Sequence, residues 1–288
     1  MRIAVTGGGG FIGRAVVKRG EAEGHEVWTF DRADGHDILG DLGGLKGADS
    51  VIHLAGLLGT HELFQEVEEA VRVNVIGSLR VMQWCIENDA GYVGIMMPDL
   101  FPSIYTATKI ATKRLADALH HSRNLQVSHV RAFNAYGPGQ KFGPGHPQKI
   151  LPTFAVAGWR NVPIPIWGDG TQVVDLVHTD DLAKLLVHAT MWTGNEVFDG
   201  GSGTQISVNQ LAQFVLQVTG STAGVEHLPM RDGEIPPSDC RAKGEGWDLL
   251  PPETQPTFDW GRIAHAIMSY KDQVNTVRNA AGQVVAVW

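Results

Sequence analysis

Residues 6–13 read TGGGGFIG, and Gly7, Gly10 and Gly13 stand three apart between a β-prone run, RIAVT (2–6), and a segment of helical spacing, FIGRAVVKRGEAEG (11–24). A turn this rich in glycine at a strand-to-helix junction narrows the folds open to the chain. Backbone N–H groups at the helix N-terminus can bind an anion, and the missing side chains let ligand and backbone approach closely. A pyrophosphate suits that place, with Phe11 and Ile12 opening the helix beside it. A second β-prone run, EVWTFD (26–31), ends at Asp31, about twenty residues on, where a carboxylate can accept hydrogen bonds from both hydroxyls of an adenosine ribose. Together the turn and the acid predict a dinucleotide site. Asp31 would repel the 2′-phosphate of NADP and so favours NAD, while neighbouring Arg32 could soften that preference.

The rest of the chain repeats the alternation. SVIHLAG (50–56), GYVGIM (91–96) and QVSHVRAFNAYG (126–137) read as strands, and 64–88 and 107–123 as helices between them. This order predicts an α/β fold with a doubly wound parallel sheet, covered on both faces, whose ligands bind outside the carboxyl ends of the strands. From Lys141 the pattern changes: KFGPGHPQK (141–149) is rich in Gly and Pro, and short mixed elements follow. The expected organisation is a nucleotide-binding domain over 1–140 plus about 172–200, and a smaller α/β substrate domain over about 141–171 plus 201–270. SVNQLAQFVLQVTG (207–220) is a clear amphipathic helix, and 271–288 is a tail of unassigned role, either a hairpin or loose.

Lys plus Arg number 23 against 31 Asp plus Glu, which gives no electrostatic reason to expect nucleic acid or an anionic membrane as partner. The two cysteines, Cys85 and Cys240, match no metal-ligand or disulfide spacing, so no metal is expected and a reducing cytoplasm is. The N-terminal run is too short for a signal peptide's core, and no stretch approaches the ~18 apolar residues of a membrane span.

Further motifs carry a family resemblance. HLAG (53–56), VNVIGSL (73–79), YTATK (105–109), RAFNAYGPGQ (131–140), GDGTQVVDLVHTDDLA (168–183) and PMRDGE (229–234) follow the glycine turn in order. With them the chain resembles the extended short-chain dehydrogenases/reductases, the nucleotide-sugar epimerases and dehydratases, from residue 1 to about 250. The resemblance implies a Rossmann-type NAD domain, a C-terminal domain closing over a nucleoside-diphosphate sugar, and a homodimer. It places Asp37 and Ile38 at adenine, Leu54, Ala55 and Gly56 along the cofactor, Asn74 near the strand ends and Phe133 near the nicotinamide. Asn134 would bind the substrate diphosphate, and Leu151, Pro152 and Trp167 the base and ribose. Of the family's two phosphate-binding arginines one is kept as Arg231, and the other position holds Val174, for which Lys149 is a candidate substitute. His53 is expected to be a packing residue.

Tyr105 and Lys109, at i and i+4, can share one helix face. A free phenol, with a pKa of roughly 10, is a poor base at neutral pH, but a neighbouring ammonium and an oxidised nicotinamide both favour the phenolate. Lowering it by about three units corresponds to roughly 4 kcal/mol. Tyr105 could then take a proton from a sugar hydroxyl while the carbon gives hydride to NAD, with Lys109 holding the nicotinamide ribose. The family adds a Ser or Thr that hydrogen-bonds the reacting oxygen. Met97 stands at that position, no hydroxyl occurs from Gly94 to Pro102, and the segment is shorter than the family's. Ser103 and Thr106 are the candidate replacements. The leading expectation is an epimerase acting at C4. A net reductase, a dehydrogenase, a dehydratase (for which the segment offers only Asp99) and a non-catalytic NAD-binding protein are the alternatives.

Overall fold

The computed structural model describes residues 1–100, 102–143, 146–231 and 234–276. In chain order the elements are β1 (Arg2–Thr6), α1 (Phe11–Ala22), β2 (Glu26–Phe30), β3 (Ser50–His53), α2 (Val67–Val71), α3 (Ser78–Glu87), β4 (Gly91–Met96), α4 (Ile104–Arg123), β5 (Val127–Ala132) and β6 (Asn134–Tyr136). There follow α5 (Ile150–Trp159), β7 (Ile164–Trp167), β8 (Val173–His178), α6 (Thr179–Ala189), β9 (Gly194–Gly200), β10 (Gln205–Ser207), α7 (Val208–Thr219), β11 (Val225–Leu228), α8 (Trp260–Met268) and α9 (Lys271–Thr276). The tail expected over 271–288 begins as α9, and its remainder lies outside the described residues.

Six strands form a parallel sheet in the order β2-β1-β3-β4-β5-β9. Its strands are apolar at consecutive positions because both faces are covered. Alternate residues of β1 serve different cores: Ile3 and Val5 pack with Val16 of α1 and with Leu182 and Leu186 of α6, whereas Ala4 packs with Val81, Met82 and Cys85 of α3 and with Ala116 of α4. The strand order reverses between β1 and β3, which opens a crevice at their carboxyl ends. There the glycine turn and the HLAG segment meet.

The chain then builds a second unit. β8 lies between β6 (parallel) and β10 (antiparallel), and β7 pairs with β11. β8 therefore belongs to the small sheet, and the return to the large sheet anticipated near residue 172 comes with α6 and β9. Tyr136, Leu151, Phe154, Leu211, Ile263 and Tyr270 anchor this core. The amphipathic helix read over 207–220 is α7. Its start is a capping box between Ser207 and Gln210, and its end is Gly220 at φ +69°. Among the described residues no helix is long and apolar enough to cross a membrane.

Candidate active site

A cleft of about 580 Å³ runs from the glycine turn, past the ends of β1, β3 and β4, to the first residues of α5. Gly7 turns the chain at φ +71°, and a Cβ there would stand 2.8 Å from the Ala55 nitrogen. At Gly13 it would lie 2.2 Å from the Gly7 carbonyl oxygen. α1 starts at Gly10 with no side-chain cap and no acid in its first turn, so its leading N–H groups are left for an anion. Gly7, Gly10, Phe11, Ile12 and Gly13 all line the cleft. This uncapped, glycine-rich cradle fits a dinucleotide's pyrophosphate.

Asp31, just past β2, also lines the cleft. Its two carboxylate oxygens accept from the Gly9 N–H (3.0 Å) and the Ala33 N–H (2.9 Å), which holds the acid against the turn. Arg32 donates to Asp37 at 3.1 Å, so its charge is partly engaged. The Leu39 N–H first, and Arg32 after it, hold the Asp37 carboxyl below the usual range. Ile38, Leu54, Ala55 and Gly56 complete this half of the lining.

Tyr105 and Lys109 lie on α4 and both line the cleft. The Lys109 amine sits 5.9 Å from the Tyr105 ring centroid. Burial pushes the phenol up to about 12 and the amine down to about 8. Both shifts disfavour the charged forms, and at neutral pH the amine is still mostly protonated.

Several expected positions are placed otherwise. Asn74 does not line the cleft. It is fully buried in a π-helical turn, Arg72–Gly77, accepting from the Leu57 N–H (2.7 Å) and donating to the Leu57 carbonyl (3.0 Å) and the Thr108 hydroxyl (3.1 Å). Both donors of its amide and its oxygen are engaged in tying the loop after β3 to α4. Pro152 is buried in the small-unit helix α5. Trp167 and Arg231 are absent from the lining: the guanidinium stacks 4.4 Å from the indole centroid, pairs with Glu234, and donates to Gln148 at 3.0 Å. Ser103 and Thr106 are buried and bonded to each other at 3.1 Å; Ser103 caps α4 through the Thr106 N–H, and the Thr106 hydroxyl faces the Met97 sulfur at 3.8 Å. Neither lines the cleft.

Met97, Phe133, Asn134 and Leu151 do line it. So do Arg14, Thr60, Gln140, Lys141 and Cys240, none of them a candidate site residue from the sequence, and Lys149, whose amine burial shifts downward. His53, expected to be a packing residue, is buried, with Thr6 and Ser78 hydroxyls 2.7 and 2.8 Å from its ring nitrogens.

A family model described as the NAD dependent epimerase/dehydratase family matches residues 3–94 and 102–198. Its gap, 95–101, falls where β4 runs into the segment before α4. The UDP-glucuronate 4-epimerase of Thermodesulfobacterium geofontis is 29% identical over 206 residues, covering 65% of this chain and 62% of that protein, so the match spans less than two thirds of that relative. A dTDP-glucose 4,6-dehydratase of Streptomyces griseus is 27% identical over 229 residues, covering 73% of this chain and 68% of that protein. The solved UDP-glucose 4-epimerase of Thermus thermophilus, in complex with NAD, shares the fold with a TM-score of 0.82 at 21% identity, over 94% of this chain and 99% of that one.

Proposed function

The chain belongs to the NAD dependent epimerase/dehydratase family, and from that premise we propose that it oxidises and re-reduces C4 of a nucleoside-diphosphate sugar, as a 4-epimerase that keeps its NAD through the cycle. The observation that carries this reading is the joint opening of Tyr105 and Lys109 into the cleft that holds the glycine cradle.

The chemistry NAD supplies when bound is reversible hydride transfer. Gly7, Gly10 and Gly13, with Phe11 and Ile12, would hold its pyrophosphate, Asp31 the adenosine ribose, and Asp37 and Ile38 the adenine. Leu54, Ala55, Gly56 and Phe133 would flank the nicotinamide half. As its phenolate, Tyr105 would take the proton of the C4 hydroxyl while the carbon gives up hydride, and would return it to the same oxygen when hydride comes back to the opposite face of C4. Since burial alone raises the phenol to about 12, it needs a positive neighbour to act near neutral pH, and the Lys109 ammonium is one. Asn134 and Lys149 hold the diphosphate, because Arg231 is engaged by Glu234 and Val174 carries no charge. Leu151 contributes an apolar surface for the base.

Eliminating water from a sugar requires a further acid or base at the reacting centre. Among the described residues the carboxylates lining the cleft are Asp31 and Asp37, at the β2 end, while Asp99 is exposed and does not line it. This favours epimerisation over the dehydration named for the Streptomyces relative. An apolar patch with Val67 and Val71 of α2 and Ile110 of α4, each at least 36% exposed, supports a homodimer through these helices.

The test is to incubate the NAD-loaded protein with UDP- and dTDP-hexoses and to follow 4-epimers by chromatography and nicotinamide absorbance together. Interconversion with no lasting absorbance change is expected. Stoichiometric NADH would mean a dehydrogenase, and a 4-keto-6-deoxy product a dehydratase.

A further inference from the structure

Two segments flank Tyr105. One is the connection from β4 to α4, described at 97–100 and 102–103, where the Met97 sulfur meets the Thr106 hydroxyl of the first turn of α4, 3.8 Å apart. The other is the loop after β3. Asn74 ties it to α4 by bonding both Leu57 and Thr108, and the Thr108 hydroxyl in turn donates to the Tyr105 carbonyl at 2.8 Å. A Cβ at Gly56, in the same loop, would lie 3.7 Å from the Lys109 amine. Both segments are thus anchored to the turn that presents the phenol.

What they present to the cleft is apolar: Leu57 and Leu58 from one, and Met96, Met97, Pro98 and Leu100 from the end of β4 and its connection. Ser103 and Thr106 spend their hydroxyls on each other and on the helix cap. Among the described residues Thr60 is the single Ser or Thr that lines the cleft. In a sugar whose C4 hydroxyl reaches Tyr105, C6 is only two bonds from C4 and so comes within reach of the segments that flank the phenol. A hydroxyl or carboxylate there would give up water without a matching partner, which is costly, whereas a methyl group would gain by burial.

We propose that the sugar accepted by this site is a 6-deoxyhexose, its C6 a methyl group seated against Leu57, Leu58, Met97, Pro98 and Leu100, with Thr60 left to bond one ring hydroxyl. The inference rests on the nucleotide-sugar reading and names the substrate class within it. The wall discriminates by exclusion as well as by contact, because the side chains of Leu57, Leu58, Met97, Pro98 and Leu100 offer no donor to a hydroxymethyl group and no cation to a carboxylate.

The experiment has two parts. Calorimetric titration of the NAD-loaded protein with UDP and with dTDP asks whether a nucleoside diphosphate binds at all, and loss of both signals would overturn the nucleotide-sugar reading and this inference with it. Epimerisation of UDP-6-deoxyglucose, UDP-glucose and UDP-glucuronate, with dTDP counterparts, then reads kcat/KM. The 6-deoxy sugar is expected to lead UDP-glucose by tenfold or more and UDP-glucuronate by more still. In Leu100→Arg the glucuronate value should rise relative to the deoxy value. Nucleotide binding accompanied by equal or better turnover of the hydroxymethyl or carboxylate sugar would leave the function standing and refute the deoxyhexose assignment.

Discussion

Met97→Thr should make hydride transfer faster. Met97 lines the cleft at the end of β4 and is half-buried, with its sulfur 3.8 Å from the Thr106 hydroxyl. Replacing it by threonine removes about two methylene-sized groups, worth about 0.8 kcal/mol each when fully buried, so a loss of roughly 1 kcal/mol in stability is expected at this half-exposed site. Against this, a fully preorganised donor to a reacting oxygen is worth about 2.7 to 4 kcal/mol, or 10² to 10³ in rate. An engineered hydroxyl with no supporting hydrogen bonds should reach at most the lower end of that range, about tenfold to a hundredfold. The assay is single-turnover hydride transfer, read at the nicotinamide absorbance, in the wild type and in Met97→Thr. Ser103→Ala serves as a control: it removes the cap of α4 and should cost about 1 kcal/mol of stability while leaving the transfer rate within a factor of a few. A wild type already fast, whose rate collapses in Ser103→Ala, Thr106→Val or Thr60→Val, would show that the missing hydroxyl has been relocated and would refute the reasoning from position 97.

Tyr105→Phe should lower epimerase turnover by about 10²-fold or more with little change in NAD affinity, whereas Lys109→Ala should reduce both; steady-state kinetics and NAD titration separate the two, and unchanged turnover in Tyr105→Phe would end the proton-transfer role. NAD should bind more tightly than NADP, and Asp31→Ala should erase most of the difference. Equal affinities in the wild type would hand the adenosine end to Arg32. His53 and His129 are held neutral by burial, each with its pKa pushed down to about 3, while in the unfolded chain each takes up a proton near 6.5. The unfolded state therefore binds more protons between about pH 3 and 6.5, so stability should be flat above pH 6.5 with respect to these groups. It should fall below that by up to about 1.4 kcal/mol per pH unit per histidine. Urea midpoints at pH 7, 6 and 5 should show the decline, and His129→Gln should flatten it; an identical slope in the variant would exclude His129 as a source.

The strand, glycine turn and helix at the start of the chain were legible because their causes are local. Gly7 needs a backbone angle that other residues resist, α1 and the strands carry their burial in their periodicity, and Tyr105 and Lys109 share a face by helix geometry alone. Asp31 follows from where β2 ends. Asn74 shows where such reasoning stops. Its motif points to the strand ends, and there, on a π-helical turn, the side chain bonds Leu57 and Thr108 and does not line the cleft; nothing in VNVIGSL announces that turn. Arg231 reads as a free phosphate ligand until Trp167, Glu234 and Gln148 are seen around it. Ser103 and Thr106 read as spare hydroxyls until they are found bonded to each other. Thr60 belongs to no motif, yet it lines the cleft. Periodicity and turn chemistry act within a few residues, so the sequence determined the elements and their order. The direction of a polar side chain depends on a partner brought from elsewhere in the chain, and so only the tertiary structure decided which groups face the cleft and which are occupied in building it.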